Sequence, residues 1–86
     1  MNDSIIIERI LQQYPDAVID VEGKDCNFEV FVISSVFEGQ NTLQRQKPIL
    51  ALFNDELKSG KLHALTIKAK TSRELQSNAG LIQLQS

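Results

Sequence analysis

The chain of 86 residues contains one cysteine and one histidine, two side chains that bind soft metal ions well. Cys26 stands just before the apolar run 28–33, and His63 just before the apolar run 64–67. If both runs are strands joined through a helix, the connection is a crossover, and both strand beginnings lie at one edge of a parallel pair. Adjacent strands are about 4.8 Å apart. A thiolate and an imidazole at these positions are therefore expected to reach one metal centre.

Two ligands do not complete a metal site. Zinc sites and iron-sulfur clusters, the centres that cysteine and histidine hold, usually need four ligands, so a second protein would have to supply the rest. Structural zinc usually shows paired CxxC ligands, and a chain with a single cysteine has none. The alternative, that Cys26 is a loop thiol and His63 a partly exposed residue at a strand start, stays open.

Catalysis is not predicted. Cys26 and His63 are the one candidate nucleophile pair, and they lack a recognisable third group to orient them. The neighbouring carboxylates Asp55 and Glu56 are adjacent in sequence, so on a helix they point to different sides.

Composition indicates one small globular domain, with 42% hydrophobic and 23% charged residues. The net charge of −2 hides an asymmetry, because the chain carries −6 through Thr42 and +4 from Leu43 onward. The lone cysteine excludes an internal disulfide, and the first residues lack the pattern of a secretory signal. No apolar stretch approaches the roughly 20 residues that span a bilayer. We therefore expect a cytoplasmic protein without a membrane segment.

The first half of the chain predicts a helix and a hairpin. Apolar residues at helical spacing run from about residue 3 to Pro15, which stops the helix. Residues 17–22 alternate apolar and acidic side chains, as a strand with one wet face does. A turn-rich stretch follows, and the run 28–34 is expected to return antiparallel. Cys26 is then in or beside the hairpin loop.

The second half predicts a loop at 37–41, a helix and a third strand. Pro48 disfavours a continuous helix, so we expect a short turn near 43–47 and a main helix with Pro48 in its first turn. Gly60 suits the position after the helix end. Residues 62–70 alternate as a strand, with His63 on its apolar face.

After the third strand, Thr71 and Glu74 match a capping box, so a short helix is expected to about Asn78, with 79–86 as a tail. The alternation in 81–86 is typical of either a weak strand or a disordered tail. The order αββααβα predicts a two-layer α+β domain over residues 1–78, with a three-stranded mixed sheet packed against helices.

Six short pieces in this order resemble the BolA family, through about residue 74. They are Pro15-Asp16-Ala17, Cys26-Asn27-Phe28, Phe37-Glu38-Gly39, Leu43-Gln44-Arg45-Gln46-Lys47, Asp55-Glu56-Leu57 and Leu62-His63-Ala64-Leu65-Thr66-Ile67. The stretch from His63 to Thr71 looks particularly similar to the IbaG branch. The resemblance implies a fold like a class II KH domain.

The resemblance also implies a function in the binding and transfer of iron-sulfur clusters. Family members pair with monothiol glutaredoxins and share a [2Fe-2S] cluster, using the histidine that matches His63 and often a loop residue that matches Cys26. The remaining ligands would be the glutaredoxin cysteine and a glutathione thiol. The expected function is that of a non-catalytic adaptor in cluster assembly, trafficking or iron sensing.

A second implied activity is transcriptional regulation through DNA binding. The candidate phosphate contacts are Arg45, Lys47, Lys68, Lys70 and Arg73. A solvated charged face is the competing interpretation, since a KH domain uses a Gly-x-x-Gly loop and the loop here has only Gly39, next to Glu38.

The chain departs from the family pattern at three places. The family's Arg-His-Arg triplet is Arg45-Gln46-Lys47 here, Pro48 replaces an aliphatic residue, and Ser72 replaces a proline. A plain protein-interaction module, using a strand edge or residues 43–47, and a homodimer also stay open.

Overall fold

A computed structural model describes residues 1–75, which form two layers, helices on one face of a three-stranded sheet. The elements in chain order are α1 Asp3–Gln13, β1 Val18–Lys24, β2 Asn27–Ile33, a 3-10 turn Ser35–Phe37, α2 Thr42–Ala51, α3 Asn54–Ser59 and β3 Ala64–Lys70. The α+β class, the element order and the mixed sheet are confirmed, and this arrangement is compatible with a KH-like description.

The sheet has the order β1-β2-β3. β1 pairs antiparallel with β2, from Val18 opposite Ile33 to Lys24 opposite Asn27. β3 pairs parallel with β2, from Asn27 opposite Ala64 onward. The predicted crossover is therefore confirmed, because α2 and α3 carry the chain back before β3 begins.

The hydrophobic core lies between the helices and one face of the sheet. Its buried members are Ile6, Ile10, Tyr14, Phe28, Val30, Val32, Phe37, Ile49, Phe53, Leu62, Ile67 and Ala69. α1 begins at an Asn2 cap, whose Oδ1 accepts from the Ile5 amide at 3.0 Å, and it ends just before Pro15 as predicted. Arg9 fixes α1 against α3 through Glu56 at 2.7 Å.

The opposite face of the sheet is exposed or half-buried. We call it the open face and define it by Val18, Asp20 and Glu22 of β1, Glu29, Phe31 and Ile33 of β2, and Thr66, Lys68 and Lys70 of β3. Alternation along each strand separates these residues from the core.

The prediction of a turn at 43–47 is wrong, because α2 is already helical from Thr42 and contains Pro48 in its interior. A capping box starts the helix early: Asn41 Oδ1 accepts from the Gln44 amide and Gln44 Oε1 accepts from the Asn41 amide, both at 2.9 Å. Side chains of the first turns also bond to β3, which offsets the backbone hydrogen bond that proline removes. The helical break comes later, at Leu52 and Phe53.

The third strand begins two residues later than predicted, at Ala64. Leu62 is buried, and its amide donates to the Glu56 carbonyl at 3.0 Å rather than to the sheet. His63 therefore precedes the strand and is exposed instead of lying on its apolar face.

The capping box after β3 is confirmed. Thr71 Oγ1 accepts from the Glu74 amide at 3.1 Å, and Glu74 Oε1 accepts from the Thr71 amide at 2.8 Å. Residues 72–75 are helical. The expected helix end at Asn78, the domain boundary there and the tail 79–86 lie outside the described residues. None of the helices within residues 1–75 has the length and apolar character needed to cross a bilayer.

Candidate functional site

The hairpin between β1 and β2 positions Cys26. Its turn consists of Asp25 and Cys26, which have positive φ angles of 55° and 68°. Positive φ at both central residues is the mark of a type I′ turn, whose twist matches that of the flanking strands. Asn27 supports the turn, because its Nδ2 donates to the Asp25 carbonyl at 3.1 Å. The half-buried thiol thus stands at the tip of a tight, left-handed turn.

The segment between α3 and β3 positions His63. α3 ends at Ser59, and Gly60 adopts a φ of 85°, a left-handed conformation that glycine takes at little cost. The buried side chain of Leu62 then anchors the chain next to the helix. On the α3 side of Leu62, the Glu56 carboxylate accepts a hydrogen bond from Arg9. This hydrogen bond holds α3 in place and lowers the pKa of the Glu56 carboxyl group.

Backbone hydrogen bonds join the two residues directly. The His63 amide donates to the Cys26 carbonyl at 2.8 Å, and the Ala64 amide approaches the same oxygen at 3.3 Å. Cys26 and His63 therefore lie side by side at one end of the β2–β3 pair, and we call them the rim. Their role as metal ligands stays a prediction. Within residues 1–75, no cluster of three or more His, Cys, Asp or Glu side chains could hold a metal ion.

A shallow depression of about 390 Å³ adjoins the rim on the open face. Its lining residues are Glu22, Gly23, Asn27, Phe28, Glu29, Ala64 and Thr66. Glu22 and Glu29 are directly opposite in the β1–β2 ladder, an arrangement of like charges that destabilises a sheet. Two carboxylates therefore lie at the depression beside the rim.

Arg45, which the sequence places among the phosphate contacts, is not available for that role. Its side chain is 8% exposed and binds Glu74 with two hydrogen bonds, at 2.7 and 3.0 Å. It also donates to the Ala69 carbonyl at 3.0 Å, and its guanidinium lies 5.8 Å from the ring centroid of Phe37. Arg45 is therefore a structural residue that joins α2 to the end of β3.

Of the other four basic candidates, Lys68 and Lys70 share the open face, whereas Lys47 and Arg73 lie on other elements. Lys68 lies on the open face, 3.6 Å from Glu29. Arg73 is 81% exposed and 3.9 Å from Glu38. Lys47 and Lys70 are exposed, on α2 and at the end of β3. Removal of Arg45 from the set weakens the case for a phosphate-binding patch.

Sequence reasoning missed the roles of Arg45 and Gln46. The Gln46 Nε2 donates to the Ile67 carbonyl at 2.8 Å, so both residues bond the outer edge of β3. The signal was the spacing of Arg45 and Ile49, four residues apart, which puts the cation on the buried stripe of its helix. Because Pro48 predicted a turn at 43–47, Arg45 was not assigned to the same helix as Ile49, and the spacing was overlooked.

Replacement of Cys26 by glycine is expected to stabilise the apo domain by about 0.5 to 1 kcal/mol, because a side chain in the left-handed region costs roughly 1 kcal/mol or more, offset in part by the entropy of glycine. The midpoint temperature of thermal unfolding, Tm, should rise by a few degrees, because 1 kcal/mol corresponds to about 4–8 °C in a domain of this size. Cys26→Ala is the control, since it removes the sulfur but keeps the strained backbone. A glycine variant no more stable than the alanine variant would contradict the expectation.

Comparison with known proteins identifies relatives along most of the chain. A family model described as BolA-like protein matches residues 8–74. The chain is 34% identical over 74 residues to the "uncharacterized protein in rpoN-murA intergenic region" of Acinetobacter guillouiae, covering 86% of this chain and 89% of that protein. It is 41% identical over 59 residues to BolA-like protein 1 of Bos taurus, covering 69% of this chain and 43% of that protein.

The fold agrees with these matches. The solved BolA domain of SufE1 from Arabidopsis thaliana superposes with a TM-score of 0.70 and is 35% identical, covering 83% of this chain and 92% of that domain. The chain spans less than half the length of the bovine relative. On the family match and the shared fold, the chain belongs to the BolA family.

Proposed function

We propose that this chain is a non-catalytic adaptor that shares a [2Fe-2S] cluster with a monothiol glutaredoxin, for cluster assembly, trafficking or iron sensing. The observation that supports it most is the rim, where a cysteine and a histidine from distant parts of the chain are joined by a hydrogen bond of 2.8 Å between their backbones.

The chemistry of the rim fits such a cluster. Thiolate and imidazole are the protein ligands of iron-sulfur centres, and histidine in place of cysteine raises the reduction potential. His63 is exposed and the Cys26 thiol is half-buried in a hairpin tip. Both side chains belong to short segments at the end of the sheet, where a partner protein can approach without entering the core.

The number of donors supports a shared cluster rather than a resident one. Four ligands are required, and the rim offers two. A glutaredoxin cysteine and a glutathione thiol, the ligands implied by the resemblance to the BolA family, would complete the set. When bound, the cluster would supply the redox and iron-transfer chemistry, while this chain would contribute two ligands and a docking end.

Coexpression with a monothiol glutaredoxin and anaerobic purification tests the proposal. We expect a stable complex with the visible absorption and circular dichroism bands of a [2Fe-2S] cluster. His63→Ala should change the band positions or reduce the bound iron severalfold, since one ligand is lost. Cys26→Ala should change the spectrum separately, because a sulfur ligand is removed.

Lys61→Ala is the matched control, because Lys61 is exposed in the same segment and carries no ligand atom of the rim. Its complex should keep the wild-type spectrum and iron content. A wild-type complex without cluster bands, or a His63→Ala complex with an unchanged spectrum, would overturn the proposal.

A further inference from the structure

The open face carries its side chains in three columns, one on each strand. They are an acidic column of Asp20 and Glu22 with Val18 on β1, a central column of Glu29, Phe31 and Ile33 on β2, and a basic column of Lys68 and Lys70 with Thr66 on β3. Adjacent strands lie about 4.8 Å apart, so the acidic and basic columns are separated by roughly 10 Å, with Phe31, Ile33 and Glu29 between them.

One row crosses all three columns. Asp20 is the partner of Phe31 in the β1–β2 ladder, and Phe31 is the partner of Lys68 in the β2–β3 ladder. The Lys68 ammonium lies 5.5 Å from the Phe31 ring centroid and 3.6 Å from Glu29 Oε2. Its side chain is still 51% exposed, so the cation remains available to a further carboxylate. The row presents a negative, an aromatic and a positive group in order.

We propose that the open face is a docking surface for a second copy of this chain, packed face to face about a two-fold axis parallel to the strands. This rotation reverses the order of the strands but keeps their direction, so β3 of each copy lies over β1 of the other. Lys68 then faces Asp20 of the second copy, twice by symmetry, and the two Phe31 side chains meet on the axis. Packed sheets lie about 10 Å apart, a gap that these side chains span.

The arrangement of charge favours this axis over the alternative. A two-fold axis in the same plane but perpendicular to the strands would put β1 over β1 and β3 over β3. Like charges would then meet at both columns, which costs free energy. Glu29 would meet its own copy near the chosen axis, but Lys68 partly neutralises it within the same chain. The face is therefore complementary to itself in one orientation.

The dimer is weak, because the face is small. Three strands of seven residues present a face of roughly 14 by 23 Å, or about 320 Å². This is less than half of the about 800 Å² that each partner buries in a standard interface. An interface of this size belongs to the weak, transient class. The direction of the strands is kept, so both rims lie at the same end of the dimer and outside the packed faces.

Complementary charge reversals test the proposal without glutaredoxin or metal. Wild-type protein should show concentration-dependent association between about 10 µM and 2 mM by sedimentation and by NMR diffusion. Lys68→Glu alone and Asp20→Lys alone should each weaken association at least fivefold, because like charges then meet twice across the axis. Both residues are exposed, so the fold should survive.

Mixing the two variants is the decisive measurement. In a mixed dimer Glu at 68 faces Lys at 20, and the native pair forms on the other side, so association should return to the wild-type strength. Titration of ¹⁵N-labelled Lys68→Glu with unlabelled Asp20→Lys should shift amide signals on the open face. Lys58→Glu on α3 matches the charge change away from the face, and its mixture with Asp20→Lys should associate more weakly. Absence of wild-type association up to 2 mM, or of recovery on mixing, would overturn the proposal.

Discussion

Replacement of Gly23 by alanine is expected to destabilise the domain strongly. Gly23 has a φ of 127°, which side chains rarely adopt, and a Cβ there would lie 2.1 Å from the Asn27 carbonyl oxygen and 2.9 Å from Phe28 Cα. Both obstacles are backbone atoms of the paired strand, so relief requires the hairpin to open. Backbone strain of about 1–3 kcal/mol adds to this clash, in a domain whose total stability is about 5–15 kcal/mol.

Thermal and urea unfolding of Gly23→Ala should therefore show a loss of at least about 3 kcal/mol, or roughly 12 °C or more in Tm. Gly39→Ala is the matched control: Gly39 also has a positive φ, of 77°, but a Cβ there would meet nothing within 4 Å. It should cost only about 1 kcal/mol. Equal losses in the two variants would show that the close approach at Gly23 is unimportant.

Replacement of Arg45 by methionine is expected to cost about 2–3 kcal/mol. The substitution keeps much of the apolar volume but removes the hydrogen bonds to Glu74 and to the Ala69 carbonyl. Breaking a fully buried pair costs about 3–5 kcal/mol; the value should be lower here because Glu74 is 41% exposed. Arg73→Met, at an arginine that is 81% exposed, is the control and should be near neutral.

The same variant should change the response to acid. The hydrogen bond from Arg45, followed by that from the Thr71 amide, lowers the pKa of Glu74 to about 2, against 4.5 ordinarily. A depressed carboxyl pKa stabilises the fold above pH 4.5, and the stabilisation is lost as pH falls toward 2. The stability difference between wild type and Arg45→Met should thus be largest near neutral pH and shrink over that interval. A difference independent of pH would assign the effect to packing alone.

Local patterns were sufficient to predict most of the fold. The spacing of Ile6 and Ile10, the alternation around Ile19 and the capping box of Thr71 each depend on neighbours in sequence, and each was confirmed. The parallel pairing followed from the helical segment between two apolar runs. These features are decided by short-range physics, namely side-chain periodicity and local hydrogen bonds.

The errors lie where distant contacts decide the structure. Pro48 was expected to interrupt its helix, but Arg45 and Gln46 are held by carbonyls of β3, which sequence does not place beside them. His63 was expected inside the strand, but burial of Leu62 delays the first rung of the ladder. At the candidate site, the adjacency of Cys26 and His63 could be predicted from topology. The left-handed backbone of Cys26 could not, because cysteine does not signal such a turn.

The crossover between β2 and β3 has a consequence for newly made protein. The hairpin that holds Cys26 is synthesised before α2 and α3, whereas His63 follows them in the chain. A chain made only as far as the hairpin therefore carries the thiol without the imidazole, and the two donors are brought together when β3 pairs with β2. If the proposed function holds, capture of iron-sulfur cargo is limited to chains that have completed their tertiary structure.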